Sequence, residues 1–172
     1  MTEPSEISRR IAEELAACGV GLVASLPDNW ITGVMDAIER NNQLTHVPVN
    51  REESAVGLCS GAYFGGIGAA ALMGASGFMT SIYAITKINY TYEVPLLIVI
   101  TLRGTFGDHH KHHVSNGLYL EPVLDAIDLP YLIVDRPDEL HRIGEAYRHS
   151  RTFSRPVVVA LTRSLLKGGH QP

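Results

Sequence analysis

Cysteine is nearly absent from this chain: Cys18 and Cys59 are the whole supply in 172 residues. They stand far apart, in no metal-ligand spacing, so neither a disulfide scaffold nor a cysteine-based zinc site holds the fold, and no adjacent relay points to thiol catalysis. Positive charge is also in short supply. Fourteen lysines and arginines against eighteen aspartates and glutamates give a formal net charge of −4, which argues against nucleic acid or an anionic membrane as partner. No apolar run has the length to span a bilayer as a helix; Val94-Pro95-Leu96-Leu97-Ile98-Val99-Ile100 has the length of a buried strand. The first residues, Met1-Thr2-Glu3-Pro4-Ser5, are acidic rather than basic and form no signal region, so the expected location is the reducing cytoplasm. Repeats, low-complexity tracts and linkers are missing too. The hydrophobic share of 45% and charged share of 19% suit a single globular domain over 1–172 whose core needs no staple.

Six apolar stretches read as strands: 21–25, 45–49, 69–73, 95–102, 131–134 and 157–161. Helical spacing fills the gaps between them. Ser5 caps a helix through Ile7, Ile11, Ala12 and Leu15; Asp28 or Asn29 caps one through Trp30, Ile31, Val34, Met35 and Ile38. From Glu52 a helix carries Val56, Cys59, Ser60 and Tyr63 to a stop at Gly65-Gly66. Ile82, Ile85 and Ile88 mark a fourth helix, as core or subunit interface, Leu118 to Ile127 a fifth, and Leu140, Ile143 and Tyr147 a sixth that Pro137 starts. Pro48 removes a backbone donor and belongs at an edge or a strand end. Residues 167–172 read as a frayed tail. Parallel neighbours need crossovers, and crossovers cover the sheet. The pattern therefore predicts a three-layer α/β/α fold with a mainly parallel six-stranded sheet.

Parallel strands bring three loops to one sheet edge: Pro27-Asp28-Asn29, Asn50-Arg51-Glu52-Glu53, and the long polar run Arg103-Gly104-Thr105-Phe106-Gly107-Asp108-His109-His110-Lys111-His112-His113. Glu52 and Glu53 sit where strand alternation gives way to helical spacing, and on spacing alone they could simply favour a helix N-terminus. Arg51 can pair with either acid or lie on the surface. Asp28 and Asn29 can cap a helix, contact a substrate, or do both. The histidine cluster can move protons or, with Arg103 and Lys111, bind an anion; the other readings are a solvated loop, or a metal held by His109 and His113 from one helix face. Gly74-Ala75-Ser76-Gly77 lacks the Lys-Ser/Thr ending of a P-loop and the spacing of a dinucleotide fingerprint.

The stretch Val49-Asn50-Arg51-Glu52-Glu53-Ser54-Ala55-Val56-Gly57-Leu58-Cys59-Ser60-Gly61-Ala62-Tyr63, with a glutamate nine residues before Gly61, resembles the pyrimidine-binding domain of thiamine diphosphate-dependent decarboxylases. Ser25-Leu26-Pro27-Asp28-Asn29-Trp30, Tyr92-Glu93-Val94-Pro95-Leu96-Leu97 and Leu102-Arg103-Gly104 extend the likeness over residues 6 to 165. Within the family it is most similar to the short α subunits that act on sulfopyruvate, with phosphonopyruvate decarboxylases as near relatives.

The resemblance implies that Glu52 contacts N1′ of the cofactor's aminopyrimidine, promoting the imino tautomer that deprotonates thiazolium C2, and that Pro27, Ser76 and Gly77 also touch the cofactor. It implies His112 and His113 as the catalytic histidine pair, and substrate contacts from Asp28, Asn29, Arg103, His109, His110 and Lys111. The substrate would be a small anionic 2-oxo acid, the preferred reaction being sulfopyruvate to sulfoacetaldehyde and CO₂. Relatives hold Mg²⁺ through a Gly-Asp-Gly element and a later Asn; here Gly107-Asp108 is followed by His109. The chain thus looks like half of a split enzyme with no metal ligands of its own. A β subunit with the diphosphate-binding domain would complete a hetero-oligomer and supply the Mg²⁺ ligands. Ser76-Gly77-Phe78-Met79-Thr80-Ser81-Ile82-Tyr83-Ala84 departs from the family's Ser-Gly-x-Gly-Asn-Ser-x-Asn-Ala. Met79, Thr80 and Tyr83 therefore leave open a non-catalytic binding or regulatory module of the same fold.

Overall fold

A computed structural model describes residues 3–168. Ser5 caps α1 (Glu6–Ala17), its Oγ accepting from the N–H of Ser8, and Gly19 at φ 100° turns the chain into β1 (Leu22–Ser25). There follow α2 (Thr32–Glu39), β2 (Thr45–Pro48), α3 (Glu52–Phe64) and β3 (Ala69–Gly74). Next come α4 (Ala75–Thr80), the single turn α5 (Ile82–Ala84), a π-helical turn (Ile85–Tyr90) and β4 (Leu96–Thr101). The polar loop ends in a 3₁₀ turn (Lys111–His113) that runs straight into α6 (Val114–Ala126). Then β5 (Tyr131–Val134), a 3₁₀ turn (Pro137–Glu139), α7 (Arg142–Phe153), β6 (Pro156–Leu161) and α8 (Arg163–Lys167) end the described fold. No helix among the described residues is long and apolar enough to cross a membrane.

Every strand pairing is parallel, in the order β2-β1-β3-β4-β6-β5. Alternating residues feed two cores, as a sheet covered on both faces requires. Val23, Leu97 and Val159 pack under α1, α2 and α7, whereas Ala24, Ile98 and Val158 pack under α3, α4 and α6. Pro48 closes the edge strand β2, where its missing donor costs no ladder bond. The chain leaves β1 toward one edge and leaves β3 toward the other. The gap between their C-terminal ends is therefore the switch point at which open α/β sheets bind ligands.

Local chemistry departs from the expected boundaries in four places. Asp28 does not cap α2. Its Oδ1 accepts from the N–H of Trp30 at 2.8 Å, and Ile31, without a side-chain cap, precedes Thr32. The fourth helix is not one continuous stripe: it begins at Ala75, breaks at Ser81 and widens at Ile85, with Thr86 Oγ1 bonded to the carbonyl of Ile82. Hydroxyls that bond back to the preceding turn bend helices in this way. Pro137 starts a 3₁₀ turn rather than α7 itself. Thr162, whose Oγ1 accepts from the N–H of Leu165, starts α8, whose last residue, Lys167, is the first of the expected tail. The rest of that expected tail, 169–172, lies outside the described residues.

Candidate active site

The site is assembled around the first turn of α4. Gly74, just before it, lies against Asp28, and a Cβ built there would stand 2.5 Å from Asp28 Oδ2. The Ser76 hydroxyl accepts from Asn116 Nδ2 of α6 at 3.0 Å. Gly77 lies directly beneath Glu52; a Cβ at 77 would collide with Oε1, Cδ and Cγ of that side chain. Gly74, Ser76 and Gly77 thus touch, in turn, the β1–α2 turn, α6 and the start of α3. Pro27 stands exposed at the head of the β1–α2 turn.

Glu52 opens α3 because Arg51 is still extended (φ −150°, ψ 148°). The two acids of that turn have different surroundings. Arg51 donates to Glu53 at 2.9 Å, and this hydrogen bond holds the Glu53 carboxyl below its ordinary value. Glu52 is half-buried, and its carboxylate has no hydrogen-bond or ion-pair partner among the described residues. The choices left open by the sequence therefore resolve: Arg51 takes Glu53 and leaves Glu52 facing Gly77.

Arg103, at the end of β4, is only 7% exposed. Its Nη2 lies 2.5 Å from both carboxylate oxygens of Asp28 and 2.8 Å from Asn29 Oδ1, and its Nε donates to Thr101 Oγ1 at 3.2 Å. The guanidinium lies 4.5 Å over the ring of Trp30. Nη1 lies 2.5 Å from His113 Nε2. A guanidinium has no acceptor, so His113 must accept there and donate its Nδ1–H to Asp108 Oδ2, 2.7 Å away. Asp108 also accepts from the backbone N–H of Gly104 and from His110. Burial pushes its carboxyl up, but these hydrogen bonds outweigh burial and hold it well below the usual carboxylate range.

The five polar residues at 109–113 are not equivalent. His113 is buried inside the network, while His109, His110, Lys111 and His112 are exposed. His112 packs edge-on against His113 at 4.2 Å between ring centroids. His109 and His110 precede the 3₁₀ turn, so the shared helix face of His109 and His113 does not form. Ligand atoms of Asp108, His110 and His113 do converge within 4.8 Å of one another, but both His113 nitrogens are taken and a guanidinium occupies one side. Hydrogen bonding explains that cluster. Arg103, proposed from sequence as an anion contact, is brought together with Asp28, Asn29, Thr101 and His113.

Trp30, Thr101, Asp108, Asn116 and Gly117 were not among the site residues expected from sequence. Gly117 carries a signal in retrospect: a Cβ there would collide with the Gly104 carbonyl, and one at Gly104 (φ 73°) would collide with that of His113. The backbones of the loop and α6 therefore meet at two glycines.

Residues 5–129 match the family model described as thiamine pyrophosphate enzyme, N-terminal TPP binding domain. The chain is 32% identical over 155 residues to the sulfopyruvate decarboxylase subunit alpha of Methanococcus maripaludis, covering 90% of this chain and 93% of that one. It is 29% identical over 136 residues to the subunit of the same name from Methanocaldococcus jannaschii, covering 79% of this chain and 80% of that one. Phosphonopyruvate decarboxylase of Streptomyces viridochromogenes is 29% identical over 139 residues, 79% of this chain but 35% of that protein. Among solved structures, a 2-oxoglutarate:ferredoxin oxidoreductase from Magnetococcus marinus superposes with a TM-score of 0.72 at 13% identity, over 93% of this chain and 29% of that chain. That likeness bears on the fold alone.

Proposed function

Since the chain belongs to the thiamine pyrophosphate enzyme family through its N-terminal TPP binding domain, we propose that it is the α subunit of a decarboxylase that converts sulfopyruvate to sulfoacetaldehyde and CO₂. One observation carries the reading: Glu52, alone of the two acids that open α3, keeps an unpaired carboxylate over a residue without a side chain, at the sheet edge beside the switch point. A carboxylate that served only the helix terminus would need no such clearance. Thiamine diphosphate, when bound, supplies the electron sink that decarboxylation of a 2-oxo acid requires. Glu52 would hold or move a proton at N1′ of its aminopyrimidine. Pro27, Ser76 and Gly77 would line the same place, the last by leaving room for the carboxylate.

The other named residues take graded roles. His112 is exposed and free to exchange a proton with substrate, and His113, fixed by Asp108 and Arg103, orients it. Asn29, His109, His110 and Lys111 face solvent at the same edge and suit contacts to an anionic substrate. Asp28 and Arg103 neutralise one another and position the β1–α2 turn. This chain would provide the pyrimidine-binding half. A separate β subunit would bring the diphosphate-binding half and the Mg²⁺ ligands, and the assembly would work in the cytoplasm. The name "subunit alpha" carried by the relatives supports a partner.

The test is reconstitution: this chain, a partner subunit with a Gly-Asp-Gly element, thiamine diphosphate and Mg²⁺, assayed for CO₂ release from sulfopyruvate, phosphonopyruvate and pyruvate. Turnover of sulfopyruvate above the other two is expected. Preference for phosphonopyruvate would favour the second substrate, for which the Streptomyces relative speaks. No thiamine diphosphate binding by the mixed subunits would favour a non-catalytic module.

A further inference from the structure

Beyond the histidine loop, the same sheet edge carries a second cationic feature. α8 exists because Thr162 caps it and Leu165 is buried beneath it. That anchoring puts Arg163 and Lys167, four residues apart, on one face of the helix. With Asn29, Trp30, His110 and Gly168 they line a cleft of about 380 Å³. Among the described residues, no carboxylate lines it. The acids of adjoining segments are already engaged: Asp28 with Arg103, Asp108 with Gly104, His110 and His113, and Asp135 with the hydroxyls of Thr162 and Ser164.

The cations, by contrast, keep donors to spare. The Arg163 guanidinium makes no hydrogen bond or ion pair among the described residues. Lys167 Nζ spends one donor on the Asn29 carbonyl at 2.9 Å, which ties α8 to the β1–α2 turn. His110 uses Nδ1 on Asp108, and its Nε2 has no partner among the described residues. Like charges at i and i+4 destabilise a helix, and here they do so in a chain with an excess of acid. An anion seated between them removes the repulsion and meets guanidinium and ammonium donors suited to tetrahedral oxygens. The cleft also shares Asn29 and Trp30 with the Arg103 network.

We infer that this cleft binds a small tetrahedral oxyanion, with Arg163 and Lys167 as its principal contacts. Where the anion is the sulfonate or phosphonate head of the substrate, the inference rests on the decarboxylase reading; where it is a free inorganic anion, it does not.

Trp30 is the only tryptophan in the chain and lines the cleft, so its fluorescence reports occupancy without any assay of activity. The full chain is titrated with sulfate at ionic strength held constant by chloride. A saturable change is expected, with Kd raised at least tenfold in R163Q/K167Q. Arg163→Gln alone, which keeps the Lys167–Asn29 tie, should weaken binding severalfold and serves if the double variant does not fold. Thermal unfolding of both variants checks the fold. A chloride response equal to that of sulfate, or unchanged binding in the variants, overturns the site. A parallel titration with 3-sulfopropanoate identifies the source: tighter than sulfate supports the substrate head, weaker supports a free anion. Both outcomes leave the oxyanion site standing, and neither depends on turnover.

Discussion

The carboxylate of Glu52 occupies the space that a side chain at Gly77 would fill. Two residues 25 positions apart are thereby bound to one another's identity, since a Cβ at residue 77 and the Glu52 carboxylate in this placement exclude one another. Replacing Gly77 by Ala should push the carboxylate aside while leaving the sheet intact, because half-buried Glu52 can swing toward solvent. In the reconstituted enzyme, kcat should fall at least about tenfold in Gly77→Ala and by about 10²–10⁴ in Glu52→Gln, the range for a lost acid–base group. Circular dichroism would report a folded protein in both cases. Undiminished turnover in Glu52→Gln would remove the glutamate from the chemistry.

Asp28 and Arg103 form an ion pair whose side chains are 16% and 8% exposed. Removing one member of such a pair leaves the other charge in a site built for its partner, at a cost of about 3–5 kcal/mol. Arg103→Ala should be the worse variant, since it strands Asp28, Asn29 and Thr101 together and takes the support from beneath His113. Urea unfolding of Arg103→Ala, Asp28→Asn and the double variant would give the coupling energy. Strict additivity would mean that the contact contributes nothing of its own.

The architecture was legible in the sequence because it rests on repeated signals. Six apolar runs alternate with helical spacing, and all six became parallel strands. Glu52 stood out for the same reason: it marks a change of period, and α3 starts on it. The network around Arg103 was not legible. Arg103, Asp28, Asp108 and Trp30 come together only once β1 and β4 are placed on either side of β3, and no spacing encodes that. An arginine among histidines reads as an anion site, and nothing in the spacing announces its pairing with the carboxylate of Asp28, 75 residues away. The starts of α2 and α4 were missed for a more local reason. Small polar residues such as Asp28, Ser76 and Thr162 can cap a helix or make another hydrogen bond, and tertiary partners decide which.

Asp108 ties stability to acid pH. Its carboxyl is buried, which alone would raise its pKa, yet the Gly104 N–H and the His110 and His113 donors depress it well below the unfolded value of about 3.9. A depressed folded-state value means that the stabilisation is complete above the unfolded value. It is lost as pH falls through that value toward the folded one. The difference in unfolding free energy between the wild type and Asp108→Asn should therefore stay level from about pH 7 to pH 5 and shrink as pH is lowered further. Urea titrations across that range would measure it. A difference that grew on acidification would contradict the hydrogen-bond assignment.

The two thiols should be slow to react while the chain is folded. Cys59, on the buried side of α3, is 1% exposed, and burial pushes its thiol up to about 12, with a hydrogen bond at Ala24 giving only slight relief. Thiolate is the reactive form, so at pH 8 almost none is present, and no path leads a reagent to it. Cys18, at the end of α1, is only half-buried; burial raises its thiol too, against some relief from nearby backbone hydrogen bonds and Arg148. Iodoacetamide at pH 8 should therefore label Cys18 slowly and leave Cys59 unmodified, whereas in concentrated urea both should react at the rate of a free thiol. Mass spectrometry of the labelled peptides separates the two sites. Rapid native labelling at Cys59 would mean that α3 opens from the sheet far more often than its packing against Ala24 and Ala71 permits, and would take with it the fixed placement of Glu52 at the head of the same helix.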